Sequence, residues 1–131
     1  MMQYTYQATV VRVVDGDTVY LELTKDFFHD IDFGFYVKET IVSKKSTVLD
    51  FRLKGINTPE IRGATREAGL AAKAELERLL SLGQIKATTY RPDKYGRWLA
   101  ILEVLLPDGT ILNVNDDLVR RGFAVPYMVE D

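Results

Sequence analysis

Nine consecutive residues, from Arg52 to Glu60, carry polar groups of several kinds that could act together. They supply a guanidinium at Arg52, a carboxamide at Asn57 and a carboxylate at Glu60. Pro59 fixes its own φ and disfavours the helical region for Thr58, so a strand is predicted to end here in a rigid turn. A guanidinium fork fits two phosphate oxygens, and a carboxylate on a stiff turn can orient water. The same residues also suit an ordinary strand exit with solvated charges.

Two further polar clusters bear on that choice. Asp17 follows Asp15-Gly16, and this Asp-Gly pair predicts a hairpin turn with positive φ values. Residues 91–97, RPDKYGR, gather cations and a tyrosine in a predicted turn of an otherwise acidic chain. Carboxylate and carbonyl oxygens are the ligands that hard cations prefer, and tyrosine rings stack on bases. The three clusters together favour a functional site over an ordinary turn.

The composition limits the classes of protein to consider. A length of 131 residues with 47% hydrophobic residues predicts one domain, 1–131, with a real core. The net charge of −2 gives no global sign of nucleic-acid binding, so any such binding needs a local basic cluster. The absence of cysteine excludes disulfides, thiolate metal sites and a cysteine nucleophile.

Targeting signals are also missing from the sequence. No apolar run approaches the ~20 residues that span a bilayer, so no membrane association is expected. Residues 1–7 lack a basic and then apolar leader. We therefore expect a cytoplasmic protein in this form, or a secreted one if a leader was removed.

The remaining sequence predicts the elements that position these groups. Alternating and β-branched residues predict strands at 3–14, 18–23, 47–54, 84–90 and 98–106. Residues 66–82 predict a long helix, capped by Thr65 and ended by Gly83 in a left-handed conformation. A short second helix, capped by Asn113 or Asn115, is predicted to run to Arg121. Five strands with a helix between the third and fourth predict a mainly β, α+β fold: a five-stranded OB-fold barrel.

Residues 24–46 interrupt this pattern. We interpret them as an elaborated hairpin that packs its aromatic residues on the body of the sheet. Residues 37–42 are predicted to form a strand, and the polar SKKS at 43–46 a turn. Asp30 and Asp32 are paired carboxylates that suit a hard cation, although a solvated strand face is favoured.

In their order along the chain, the motifs resemble the staphylococcal nuclease (thermonuclease) family. The motifs are DGDT at 15–18, Arg52 followed by TPE at 58–60, DKYGR at 93–97 and LVRRG at 118–122. The resemblance covers residues 8–127 except the 24–46 hairpin, which is longer than the family's type member needs. It implies a Ca²⁺-dependent endo- and exonuclease that hydrolyses phosphodiester bonds in DNA and RNA.

The resemblance also implies which residues hold the metal. Asp17 would bind Ca²⁺ through its carboxylate, and Thr58 through its backbone carbonyl. Asn57 stands where the family's type member has an aspartate, so its amide oxygen would bind the ion with one negative charge fewer. Because Ca²⁺ affinity depends on ligand charge, weaker metal binding is expected. The carboxylates that would compensate are Asp15, Asp30 and Asp32.

Catalysis and substrate binding are carried over in the same way. Arg52 and Arg97 would bind the phosphate and stabilise the five-coordinate transition state, and Glu60 would position and deprotonate the attacking water. The implied substrate contacts are Lys94, Tyr95 and Tyr127. The first two would contact a terminal phosphate, and the third would stack on a base. The expected partners are single-stranded or locally melted DNA, and RNA, bound by a monomer.

Two alternatives to a nuclease stay open. One is a catalytically weak or silent SNase-like OB module that binds nucleic acid or protein, and Asn57 favours it. The presence of Arg52, Glu60 and Arg97 argues against it, because a silent module has no need of all three. The other is a protein-binding barrel that uses the aromatic 24–46 hairpin.

Overall fold

The computed structural model describes residues 3–91 and 96–127. Its long strands and two helices follow one another in the order that the sequence predicts, with additional short strands at residues 56–57, 111–113 and 125–126. The strands are β1 (Gln3–Asp15), β2 (Thr18–Gly34), β3 (Val37–Leu53), β4 (Ile56–Asn57), β5 (Gln84–Tyr90), β6 (Trp98–Leu105), β7 (Ile111–Asn113) and β8 (Val125–Pro126). The helices are α1 (Arg66–Leu80), which a 3₁₀ turn at Gly63–Thr65 precedes, and α2 (Val114–Arg120). No helix within these residues is long and apolar enough to cross a membrane.

The main sheet curls into a barrel. Its strand order is β3-β2-β1-β5-β6-β7, and β3 also pairs with β6. This last pairing is parallel and short, and it joins Phe51, Arg52 and Leu53 to Trp98, Leu99 and Ala100. Five strands therefore close on themselves with α1 between the third and fourth barrel strands in chain order. The predicted α+β OB-like fold is confirmed.

The core lies between the barrel and one face of α1. Alternate residues of β2, such as Val19 and Leu21, are fully buried, as the period of a strand requires. The sequence predicts an apolar face of α1 made of Leu70, Ala74, Leu76, Leu79 and Leu80, which is partly wrong because Leu70 and Ala74 are exposed. The buried stripe is instead Gly69, Ala72, Leu76, Leu79 and Leu80. These positions are spaced by one, three or four residues, which is the spacing of one helix face.

Gly16 and Gly83, for which a positive φ was predicted, instead allow another element to pack closely against the backbone. Neither Gly16 nor Gly83 has a positive φ. A Cβ on Gly16 would lie 2.7 Å from the Cβ of Ala72 and 2.9 Å from the side chain of Thr58. A Cβ on Gly83 would lie 1.8 Å from the carbonyl oxygen of Leu105. Both positions therefore require glycine because another element approaches the backbone.

The predicted helix caps have different outcomes. Thr65 precedes α1, but its hydroxyl donates to the carbonyl oxygen of Glu60 at 2.7 Å and makes no capping bond. Asn113 caps α2, since its side-chain oxygen accepts the backbone N–H of Asp116 at 3.0 Å. Asn115, the other predicted cap, is buried inside the fold.

The 24–46 segment, which we call the ribbon, departs most from prediction. β2 and β3 stay paired along its whole length, so residues 43–46 are strand and the predicted turn there is wrong. The turn lies at Phe35 and Tyr36, with φ values of 53° and 66°. These two side chains are 98% and 102% exposed, and Phe28 and Phe33 are also exposed. The aromatic residues beyond Phe27 do not pack on the sheet because β1 accompanies β2 only as far as Thr24.

A charge network joins the two helices. Arg121 donates to Glu75 on α1 at 2.6 Å and to Asp117 on α2 at 2.7 Å, and Arg120 also pairs with Asp117. The hydrogen bond from Arg78 lowers the pKa of Glu75, and Arg121 adds to the effect. Burial alone would raise the pKa of Asp117, but the two arginines outweigh it and the pKa is lowered.

Acid is expected to weaken the fold through this network. Both carboxyl groups have a lower pKa when folded than when unfolded. The two groups therefore stabilise the fold fully at a pH above their pKa values in the unfolded chain, which are about 4. This stabilisation is lost as the pH falls through their lower pKa values in the folded protein. Asp117→Asn should reduce the free energy of unfolding at neutral pH by about 1–3 kcal/mol and flatten its acid dependence. Urea unfolding across this range tests both effects, with exposed Asp116→Asn as the matched control. An unchanged acid slope in Asp117→Asn would contradict the prediction.

Candidate functional site

The turn between β1 and β2 meets the segment that follows β4. Asp17 is 8% exposed, and its Oδ2 accepts the backbone N–H of Thr58 at 3.0 Å. Its Oδ1 accepts the hydroxyl of Thr18 at 3.2 Å, and its backbone carbonyl accepts the N–H of Leu53 at 2.8 Å. The fold therefore brings together two motifs that lie far apart in the sequence.

Asp15 adds a second carboxylate beside Asp17. Its Oδ1 accepts the backbone N–H of Asp17 at 3.0 Å. Burial raises the pKa of Asp15, and the neighbouring Asp17 carboxylate raises it further. Two adjacent carboxylates disfavour each other's charge, and a cation between them relieves that repulsion. In the described part of the chain, no group of three or more His, Cys, Asp or Glu residues forms a metal cluster.

Arg52 lies in the wall of the barrel with its guanidinium held on several sides. The residue is 7% exposed. Its Nη1 donates to the carbonyl oxygen of Ile56 at 2.9 Å, and its Nη2 to the side-chain oxygen of Asn57 at 3.2 Å. The ring centre of Tyr127 lies 4.9 Å from its Cζ. Within residues 3–91 and 96–127 no carboxylate pairs with this guanidinium, so neutral dipoles and a ring surround its charge.

Asn57 is drawn toward Arg52. Its side-chain oxygen, which the sequence suggests as a metal ligand, accepts the Arg52 N–H. An oxygen that accepts from a guanidinium is a poor place for a second cation, because like charges close together repel. In this arrangement Asn57 positions Arg52, and its metal role stays a prediction.

Tyr127 reaches the same place from the C-terminal segment. β4 pairs with β8, with Asn57 opposite Val125, and the Tyr127 N–H donates to the carbonyl oxygen of Gly55 at 2.8 Å. This pairing fixes the backbone so that one ring face covers Arg52. The side chain remains 39% exposed.

Glu60 has a fixed backbone and a solvated side chain. Its carbonyl oxygen accepts from Thr65 and lies so close to Gly69 that a Cβ there would be 2.7 Å away. Its carboxylate pairs with Arg62 at 3.2 Å, and the two side chains are 72% and 82% exposed respectively. The turn that carries Glu60 is therefore held against the start of α1, while the carboxylate can reorient.

The loop between β5 and β6 contains three of the predicted site residues, and the structure describes one of them. Arg97 is half-buried and directly precedes β6. Arg52 pairs with Leu99 in the middle of the β3–β6 pairing, so Arg97 lies two residues before the partner of Arg52 and just before the pairing begins. Lys94 and Tyr95 lie outside the described residues.

Asn115 supports the site from inside the fold, and sequence reasoning missed this role. Its side chain donates to the carbonyl oxygens of Lys54 at 2.9 Å and Ala100 at 3.0 Å. It also accepts the Leu102 N–H at 3.1 Å. Asn115 thereby joins β6 to the turn between β3 and β4, which leads to Asn57 and Thr58. The signal in the sequence that could have indicated this role was the position of Asn115 directly after the apolar Val114 in the predicted helix.

Comparison with known proteins found a matching family and distant relatives of this chain. The profile of a family described as staphylococcal nuclease homologue matches residues 50–131. An uncharacterised protein of Methanocaldococcus jannaschii is 27% identical over 127 residues, which are 94% of this chain and 60% of the relative. The endonuclease YhcR of Bacillus subtilis is 30% identical over 132 residues, which are 95% of this chain and 9% of that enzyme. The chain thus spans less than two thirds of the length of either relative.

Proposed function

The chain belongs to the staphylococcal nuclease family, and from this premise we propose that it is a Ca²⁺-dependent nuclease that hydrolyses phosphodiester bonds of DNA and RNA. A relative named as an endonuclease supports the reaction class. The substrates are single-stranded or locally melted strands, and cleavage occurs both within strands and at their ends. The proposal rests on the family together with the geometry around one arginine.

That observation is the buried guanidinium of Arg52. Burying a charge is costly unless polar groups compensate for it. Here the compensation comes from carbonyl and amide oxygens and from the ring of Tyr127, with no carboxylate partner in the described residues. The guanidinium is therefore held in a fixed position, and no carboxylate in the described residues neutralises its charge. It can bind an anion that arrives from solvent. A phosphate group is the anion that a guanidinium fork fits with two oxygens.

The residues near Asp17 suit a hard cation such as Ca²⁺. Asp15, which is partly buried, and Asp17, which is buried, offer adjacent carboxylate oxygens, and Thr58, whose N–H the Asp17 carboxylate accepts, also carries a backbone carbonyl. When bound, the ion would offset negative charge on a phosphate oxygen and make the phosphorus more electrophilic. With few charged ligands, affinity in the range of about 10⁻⁴–10⁻³ M is expected. This set holds Ca²⁺ in the proposed site.

The remaining residues act on the water and the phosphate. Glu60, on the turn held against α1, orients and deprotonates the attacking water. Arg52 and Arg97 stabilise the extra negative charge of the five-coordinate transition state, which is the largest single contribution in many enzymes. Substrate binding is completed by Lys94, Tyr95 and Tyr127.

A cleavage assay tests the proposal directly. Labelled single-stranded DNA and RNA are incubated with the wild-type chain at millimolar Ca²⁺ and alkaline pH, with and without excess chelator. Cleavage that depends on Ca²⁺ is expected for both substrates. No cleavage by the folded wild-type chain under these conditions would overturn the proposal.

Asn57→Asp is expected to bind Ca²⁺ about tenfold more tightly, or ~1.4 kcal/mol, because it adds a carboxylate near the metal site. Calorimetric titration of the variant and wild type measures this difference. Asn113→Asp is the matched control, since it adds the same charge at the cap of α2. If Asn57→Asp neither binds Ca²⁺ more tightly nor cleaves faster, position 57 does not bear on the metal.

One observation favours a second candidate function. The amide of Asn57 is engaged by Arg52, which leaves the metal with fewer charged ligands than an aspartate would give. A catalytically weak or silent module that binds nucleic acid through Arg52 would be built the same way. If the chain binds a nucleic acid strand but does not cleave it at any Ca²⁺ concentration, this alternative is correct.

A further inference from the structure

We propose that a groove at the base of the ribbon binds the unpaired bases and the phosphates of single-stranded nucleic acid. The groove has a volume of about 370 Å³, within the range of about 300–1,000 Å³ that is usual for ligand sites. This inference rests on the proposed function, and it assigns a substrate class and a second binding surface to the same enzyme.

The groove opens where the barrel strands diverge. β3 pairs with β6 only from Phe51 to Leu53, and residues 45–49 of β3 have no such partner. Five aromatic rings from four strands line the space that results, and they are Tyr4 and Tyr6 of β1, Phe27 of β2, Phe51 of β3 and Trp98 of β6. Because Tyr4, Phe27 and Trp98 are 39–51% exposed, their rings are accessible from solvent. Aromatic faces of this kind stack on bases without regard to sequence.

The charges around the groove select the partner. Lys25 and Lys45 line it together with the rings, and the Lys25 Nζ lies 5.8 Å from the ring centre of Phe27. None of the described lining residues is acidic, although the chain as a whole has a net charge of −2. A purely apolar partner would leave both ammonium groups without a counter-charge. Rings and cations together match the bases and backbone of a nucleic acid strand.

The groove shares the β3–β6 pairing with the proposed site but lies on the other face of β3. Phe51 and Trp98 are register partners there, and both line the groove. Arg52 directly follows Phe51 and therefore points to the opposite face, because side chains alternate along a strand. A nucleic acid strand that has a phosphate at Arg52 reaches this groove by passing around the end of the short pairing. Stacking needs unpaired bases, so the groove favours single strands over duplex.

The ribbon supplies matched controls because side chains alternate between its two faces. Phe27 and Lys45 belong to the face that lines the groove. Their sequence neighbours, Phe28 and Lys44, lie on the opposite face and are exposed. Each pair allows the same chemical change on and off the groove.

The test uses the fluorescence of Trp98, the chain's single tryptophan. An oligothymidine of about 12 nucleotides, within the usual range for such folds, is titrated into the full chain in chelator, which keeps the strand intact. We expect quenching of Trp98 in the wild type, about tenfold weaker binding in Phe27→Ala, and a smaller salt dependence in Lys45→Glu. Phe28→Ala and Lys44→Glu should bind as the wild type does.

Each other outcome overturns a distinct statement. Equal losses on both faces of the ribbon, or binding without quenching of Trp98, would overturn the groove as the binding surface. Equally tight binding of duplex would overturn the preference for single strands, and no binding at low salt would point to a protein partner instead. Normal cleavage by groove variants would overturn this inference alone, whereas binding through the groove without Ca²⁺-dependent cleavage would overturn the proposed function alone.

Discussion

Replacing Arg52 with alanine is expected to lower the rate of phosphodiester cleavage by about 10²–10³-fold. This is the usual cost of removing one preorganised donor to a transition-state oxyanion. The guanidinium is already fixed by Ile56, Asn57 and Tyr127, so the folded protein does not have to reorganise it during the reaction. Single-turnover cleavage of a labelled single strand at saturating Ca²⁺ measures the effect.

Controls separate this effect from a loss of stability. Arg52→Ala removes buried hydrogen bonds, at a cost of about 1–3 kcal/mol, so thermal unfolding must show that the variant is folded in the assay. Arg52→Lys keeps the charge but loses the fork, and it should stay at least about tenfold slower than the wild type. Arg12→Ala removes another arginine that lies over a tyrosine, Tyr20, and should cleave normally. Full activity in folded Arg52→Ala would contradict the proposed role.

Glu60→Gln is expected to lower cleavage by about 10²–10⁴-fold, the range typical of losing a general base. Glutamine keeps the size and polarity of the side chain but does not accept the proton from water. Because the carboxylate and its partner Arg62 are both largely exposed, their ion pair contributes little to stability. Activity should therefore fall while the unfolding temperature stays the same.

Glu67→Gln is the control for this substitution. Glu67 is an exposed glutamate in the first turn of α1, close in sequence to Glu60, and it has no proposed part in the reaction. Cleavage by Glu60→Gln within a few-fold of the wild type would remove Glu60 from the mechanism.

The sequence was most informative where a feature depends on near neighbours. Alternation of apolar residues placed β5 at Gln84–Tyr90, and the two candidate caps, Asn113 and Asn115, placed the start of α2 to within two residues. The order of the elements along the chain then indicated the OB-fold barrel. Where a neighbour came from elsewhere in the chain, prediction failed: the requirement for Gly83 comes from the carbonyl of Leu105.

The ribbon illustrates the same limit. Its dense aromatic residues predicted packing on the sheet, because burial is the usual fate of such side chains. Whether a strand pair lies against a sheet or extends beyond it depends on where its other partners end. β1 leaves β2 at Thr24, and this long-range fact has no local signal in the sequence.

The sequence by itself determined the family resemblance, the α+β barrel and the types of chemical group at the candidate site. Only the tertiary structure decided which of these groups contact one another. It placed the Asp17 carboxylate on the Thr58 N–H, turned the Asn57 amide toward Arg52 and covered that guanidinium with Tyr127. The physical reason is that the Asp17–Thr58 and Arg52–Tyr127 contacts join distant segments, while the Arg52–Asn57 contact spans a turn whose backbone is paired with the distant β8. The direction of a side chain at such a junction depends on the closure of the whole barrel.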